Sequence, residues 1–175
     1  MLENLWLRNR QETSPWKGLA AGLVAGLVAS WTMNQFQALW GKLAEDEKTD
    51  EKKSSDDDTP ATVKAADALS EEVFGHELTR SEKEIAGSAV HYAFGAATGG
   101  MYGAMAEIVP DVTIGAGMPF ATVVWLLADE ITVPLLGLSK SPAQYPLSKH
   151  AYGLASHFVY GLTTEVVRRA VRNAM

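Results

Sequence analysis

The chain has 175 residues, 47% hydrophobic and 21% charged, which suits one compact unit and is short for two. Its net charge of -6 is unevenly placed: residues 42–84 hold 14 acids and 7 bases, leaving 7 acids and 8 bases elsewhere. A basic nucleic-acid-binding surface is therefore disfavoured. The absence of cysteine removes disulfides, thiolate metal sites and cysteine nucleophiles. A mean hydropathy of -0.04 averages one very polar stretch with several long apolar ones, which keeps a membrane protein in view.

Residues 16–40 (WKGLAAGLVAGLVASWTMNQFQALW) carry one charge near the start and a Trp at each end, the pattern of a membrane span with aromatic edges. Residues 41–84 form a connection. Within it, residues 44–60 (AEDEKTDEKKSSDDDTP) have almost nothing apolar to bury, so disorder is expected. Further along, about residues 62–78, Val63, Ala66, Leu69, Val73 and Phe74 recur three and four apart, predicting an amphipathic helix. That helix either lies along the outer membrane surface or covers the end of the bundle.

Residues 85–109 hold only His91 and Glu107 as ionisable groups and form a second expected span. Pro110 and Asp111 supply a tight connection to a third span over residues 112–138, apolar except for Asp129 and Glu130. A fourth, residues 147–167, has Lys149 and His150 at its entrance, His157 inside and Glu165 near its exit. The fold expected is all-α: a polytopic membrane protein of four transmembrane helices in a single domain. A soluble bundle would show polar outer faces along each helix, and these segments show almost none. The first apolar run is too long for a signal peptide. Arg8, Arg10 and Lys17 precede the first span and Arg168, Arg169 and Arg172 follow the last, so both termini are expected on the cytoplasmic side.

A four-residue period runs through the spans. It reads Gly18, Gly22, Gly26, Ser30, Asn34 in the first and Gly87, His91, Gly95, Gly99, Gly103, Glu107 in the second. In the fourth it reads Lys149, Gly153, His157, Gly161, Glu165, Arg169, with a weaker row, Gly117, Ala121, Trp125, Asp129, in the third. Each row lies on one side of its helix, where small residues let backbones approach. Ionisable residues on those rows should face the interior, because charge facing lipid costs roughly 2.5–3.5 kcal/mol. A short echo, YGxxxE at Tyr102 to Glu107 and again at Tyr160 to Glu165, is compatible with duplication or with coincidence.

Alternating spans place Asn34, Gln35, His91, Asp129, Glu130, His150 and His157 in the outer half. Glu107 and Glu165 fall in the inner half, where Glu165 should pair with Arg169 in a structural group, Arg168 and Arg172 lying on either side. The adjacent carboxyls Asp129 and Glu130 point about 100° apart and cannot share one partner. Pro134 lacks the N–H that would reach the Glu130 carbonyl, so a kinked helix and a polar cavity are expected there. The candidate proton-responsive cluster is thus Asp129, Glu130, His91, His157, His150 and Asn34, suited to change protonation over the mildly acidic range. Interhelical hydrogen bonding without switching is the plainer reading. Zinc or iron held by His91, His157 and Asp129 is the sharper one, although no HExxH or paired ExxH motif supports it. P-loops, nucleophile elbows and dinucleotide fingerprints are absent, so no enzyme and no cofactor are expected.

The runs VWLLADE at residues 124–130, then Val133 and Pro134, Gly137 to Ser139, YPLSKH at 145–150 and SHFVYGLTTE at 156–165 resemble the YagU-like family of bacterial inner-membrane proteins. So do the stretches KGLAAGLVAGLVASWTMNQFQ and HYAFGAATGGMYG. The resemblance implies a multi-span inner-membrane protein connected with survival under acid, with Asp129, Glu130, Pro134, His150, His157, Gly161 and Glu165 as characteristic positions and no catalytic or metal role. The function expected is support of acid tolerance through proton sensing or conduction; the alternative is a small accessory subunit of a larger membrane complex. The bilayer, and a homo-oligomer or larger complex, are the expected partners.

Overall fold

The computed structural model describes residues 13–45 and 59–175, which form helices and turns and, among the described residues, no strand. Five helices carry the architecture: α1 Pro15–Glu45, α2 Ala61–Phe74, α3 Arg80–Ile108, α4 Met118–Leu135 and α5 Leu147–Asn173. The disorder expected over residues 44–60 falls almost wholly outside the described residues.

Local chemistry sets the ends. α1 starts on Pro15, whose missing N–H costs nothing in a first turn. α3 starts five residues before the apolar run because Thr79 and Glu82 form a capping box, with the Thr79 N–H donating to Glu82 Oε2 at 2.8 Å. α2 stops at Phe74 and not near residue 78: Gly75 takes a left-handed conformation (φ 61°) and its N–H returns to the Glu71 carbonyl. The chain beyond turns back, and the Leu78 N–H donates to Asp67 Oδ1 at 3.1 Å. Lys83 Nζ on α3 stands 2.6 Å from Asp67 Oδ2, and Gly87 leaves room for Val63, so α2 is clamped along the start of α3.

α1 and α3 run antiparallel in backbone contact. Gly18 lies on Gly103, Gly22 on Gly99 and Gly26 on Gly95; a Cβ added at Gly99 would stand 2.6 Å from the Gly22 carbonyl oxygen. The rows read from the sequence are this seam. α5 packs on the adjoining side of α1, where Ala29, Met33 and Tyr160 are buried together, Thr32 donates to Thr163 at 3.0 Å, and Phe36, Trp40 and Tyr152 bring their rings together.

The third apolar segment departs from the expected continuous helix over residues 112–138. Pro110–Thr113 form a 3-10 turn, and Gly115, Ala116 and Gly117 all have positive φ before α4 begins at Met118. Gly117 (φ 82°) brings its carbonyl against Gly161 of α5, an approach that a side chain on either would block. The helix then widens: Leu126–Thr132 is π-helical, with the Val133 N–H reaching the Ala128 carbonyl. Pro134 lies just beyond this wide turn: a proline ring collides with the carbonyl four residues back, and one wide turn relieves that collision.

Of the described helices, Met118–Leu135 alone combines the length and apolarity of a membrane crossing; α1, α3 and α5 are longer, at 31, 29 and 27 residues, but more polar. Beside a buried apolar set that includes Ala25, Met33, Tyr102 and Val124, burial is in part the reverse of a water-soluble bundle's. Leu23, Leu27, Trp31, Phe94, Leu126, Leu127 and Ile131 are exposed, whereas Ser156, His157, Thr164, Glu165, Arg168 and Arg172 are buried.

Two outcomes follow from these contacts. Gly99→Ala should destabilise the protein by about 1–3 kcal/mol through overpacking of the seam, while Gly41→Ala, with open space around it, should be neutral or slightly stabilising; detergent-resolved unfolding midpoints read both. The Lys83 ammonium holds the Asp67 carboxyl below its ordinary 3.8. A lowered folded value means that the clamp contributes fully above 3.8 and is lost as pH falls through the folded value. Hydrogen exchange corrected for intrinsic rate should therefore show α2 amides losing protection relative to α5 below that pH, and Asp67→Asn should abolish the dependence.

Candidate functional site

The polar residues separate into two groups at opposite ends of the seam. Near Gly18 and Gly103 lies the arginine-rich group. Glu165 on α5 is bound by Arg168 through Nε at 2.8 Å and Nη2 at 3.0 Å, by Arg169, and by the Tyr102 hydroxyl from α3 at 3.0 Å. The expected pairing with Arg169 is present, but the buried partner is Arg168. Glu107 is held separately: Arg172 Nε donates to it at 2.7 Å and the Ser14 N–H at 2.9 Å, tying α3 to α5 and to the start of α1. α5 therefore continues six residues past the expected end of the fourth span, at residue 167, and buries Arg168 and Arg172.

The two tyrosines of the YGxxxE echo act reciprocally. Tyr102 of α3 donates to Glu165 of α5, and Tyr160 of α5 donates to the Gly95 carbonyl of α3 at 2.7 Å, with Thr98 Oγ1 at 2.8 Å. The echo thus has a structural place that repetition alone does not suggest: a pair of cross-helix latches.

At the other end, the π segment carries Asp129 and Glu130 past α5. The expected single cluster resolves into two carboxyl–imidazole pairs. Glu130 Oε1 stands 2.7 Å from His150 Nδ1, and His150 Nε2 stands 3.1 Å from the Pro142 carbonyl oxygen. Asp129 Oδ2 stands 3.8 Å from His157 Nδ1, which donates to the Gly153 carbonyl at 2.9 Å. His91 on α3 is within electrostatic reach of both Asp129 and His157, and its own Nε2 faces the Ser30 carbonyl at 3.5 Å. Asn34 is not brought to the carboxyls: its amide meets the Tyr92 hydroxyl at 3.5 Å.

The His150 geometry counts protons. A carbonyl only accepts, so Nε2 carries a hydrogen; the bond to Glu130 then needs a second one, on Nδ1 or on the carboxyl. Both bonds together require one proton more than a neutral imidazole beside an ionised carboxylate. Loss of that proton leaves a hydrogen for one of the two bonds, to Glu130 or to the Pro142 carbonyl. His157 differs, because its Nδ1 hydrogen is already given to Gly153 and Asp129 feels the ring through charge alone.

Metal ligation by His91, His157 and Asp129 finds no converging set of ligand atoms. Among the described residues the set that does converge is Asp67 and Glu71 of α2 with Glu77 of the turn after it, where Lys83 already neutralises Asp67.

Two substitutions separate the buried from the exposed arginine contacts. Glu165→Gln should cost about 3–5 kcal/mol, because it leaves the buried Arg168 guanidinium without its counter-charge. Arg169→Gln, at a side chain 60% exposed, should cost under about 1 kcal/mol, and denaturant titration in mixed micelles distinguishes the two.

No curated protein and no solved structure matches the chain. A family model does match, over residues 51–166, which takes in α2, α3, α4 and most of α5 and leaves α1 outside. The chain belongs to DUF1440, a family of proteins of unknown function.

Proposed function

We propose that the chain is a non-enzymatic protein of the bacterial inner membrane, crossing it through α1, α3, α4 and α5 with both termini cytoplasmic. In this reading the Asp129–His157 and Glu130–His150 pairs take up protons from the outer side and support acid tolerance, as the resemblance to YagU-like proteins suggests. The observation that carries the reading is the partly inverted burial. A molecule with Leu27, Trp31, Leu126 and Ile131 outside and Glu165, Arg168 and Arg172 inside matches a hydrocarbon solvent and mismatches water. At ~1.5 Å per residue the three longest helices exceed a ~30 Å hydrocarbon layer. The arginine-rich end then faces the cytoplasm and the carboxyl–imidazole end faces outward.

A proton role suits the outer pairs because imidazoles change charge in the mildly acidic range and the two contacts of His150, to Glu130 and to the Pro142 carbonyl, form together only with an added proton. A second reading, an accessory subunit of a larger membrane complex, is favoured by the apolar furrow between α3 and α4 lined by Met101, Met105, Pro119, Phe120 and Val123. Proton flux decides on the first. In proteoliposomes driven between mildly acid and neutral pH, the Asp129→Asn, Glu130→Gln double variant should fall to the rate of protein-free liposomes. Unchanged flux with an unchanged pH response removes the proposal.

A further inference from the structure

A groove lies where α1, α2 and α3 meet, lined by Asn34 and Gln37 of α1, Thr62 of α2, and Glu84, Ser88 and His91 of α3. Glu84 stands near the start of α3 and His91 two turns further in, about 10 Å along the axis. Inward of His91 there is no continuation between α1 and α3, because the Ser30 carbonyl faces the ring and the Gly26–Gly95 contact closes the backbones on each other. Six of its nine lining residues are polar or ionisable, Pro60, Val63 and Gly87 being the others: amide, hydroxyl and carboxyl groups lead to an imidazole. Of the residues named, the ionisable ones are Glu84 at the mouth and His91 at the inner end; α1 contributes amides, and α2 a hydroxyl beside the Val63 side chain.

We infer that this groove is a water-filled vestibule, and that its ligand is water and the proton it delivers to His91. The inference rests on the membrane and proton reading above and adds to it a route. It makes Asn34, which the structure separates from the carboxyls, part of the access path instead of part of the cluster. It also accounts for α2, which is clamped to α3 through Asp67 and Lys83 and forms one wall of the path.

The chain contains no cysteine, so a single introduced thiol reports water access without background. The test places Ser88→Cys at the rim, His91→Cys at the inner end and Leu27→Cys on the exposed apolar face of α1. Each is reconstituted in proteoliposomes and treated with a charged, membrane-impermeant methanethiosulfonate. Asn34→Cys is a second inner position should His91→Cys fail to fold. Ser88→Cys and the inner thiol should each react at least roughly tenfold faster than Leu27→Cys, because the attacking thiolate forms only where water reaches it. Prior coupling of a bulky maleimide to Ser88→Cys in a Ser88→Cys, His91→Cys pair should abolish labelling of the inner thiol. An unreactive Ser88→Cys, or inner thiols as slow as Leu27→Cys beside a reactive rim, overturns the vestibule and leaves the membrane reading standing. Leu27→Cys reacting as fast as the rim overturns the membrane reading and the route with it.

Discussion

Contact between two backbones, with no side chain between them, sets the rest of this structure. Where Gly22 meets Gly99 and Gly26 meets Gly95, even a methyl group on one helix would press into the other. Such an approach draws on dispersion and on polar backbone contacts, which favour association even where the surroundings are as apolar as the helices. Its antiparallel register has a direct consequence. Gly18 falls beside Glu107, and Ser30 falls beside His91, so acids destined for arginine and acids destined for histidine are sorted to opposite ends.

The two ends differ in the permanence of their charge. Arginine stays protonated throughout the accessible range, so Glu165 and Glu107 are neutralised whatever the solution outside. That end is a fastening: it joins the start of α1, the end of α3 and the end of α5. Histidine offers a conditional charge. At His150 the two contacts, to Glu130 and to the Pro142 carbonyl, need one proton more than a neutral ring beside a carboxylate carries. One end is thus a fixed charge lock, and the other is built of carboxyls and imidazoles.

The π segment lies where that conditional chemistry does. In an ordinary helical turn, Asp129 and Glu130 would leave the axis about 100° apart. The widened turn lets two neighbouring carboxyls reach two histidines on one partner helix, His157 and His150, which are themselves seven residues apart on α5. Pro134 is the visible reason for the widening, and widened turns recur where helices carry function.

Much of this was legible in the chain itself. Helix rows are a local property: the four-residue spacing of Gly18 to Ser30 and of Gly87 to Glu107 defines one face of each helix before any partner is known, as the amphipathic spacing of Val63 to Phe74 does for α2. The pairing of Glu165 with Arg169 was readable for the same reason, being one turn of one helix. What only the tertiary structure decided is rotation and partnership. Whether Asp129 faces His157 or His91, whether Asn34 joins the carboxyls or the groove, and whether Arg172 binds Glu165 or Glu107 depend on how helices turn against one another. The contacts that set this rotation, Gly117 against Gly161 and Gly22 against Gly99, join residues far apart in the chain. Even the start of α4 was settled that way: three successive positive φ values at Gly115, Ala116 and Gly117 hold the chain against α5, a turn whose marks in the sequence are Gly115, Gly117 and Pro119 within an otherwise apolar run.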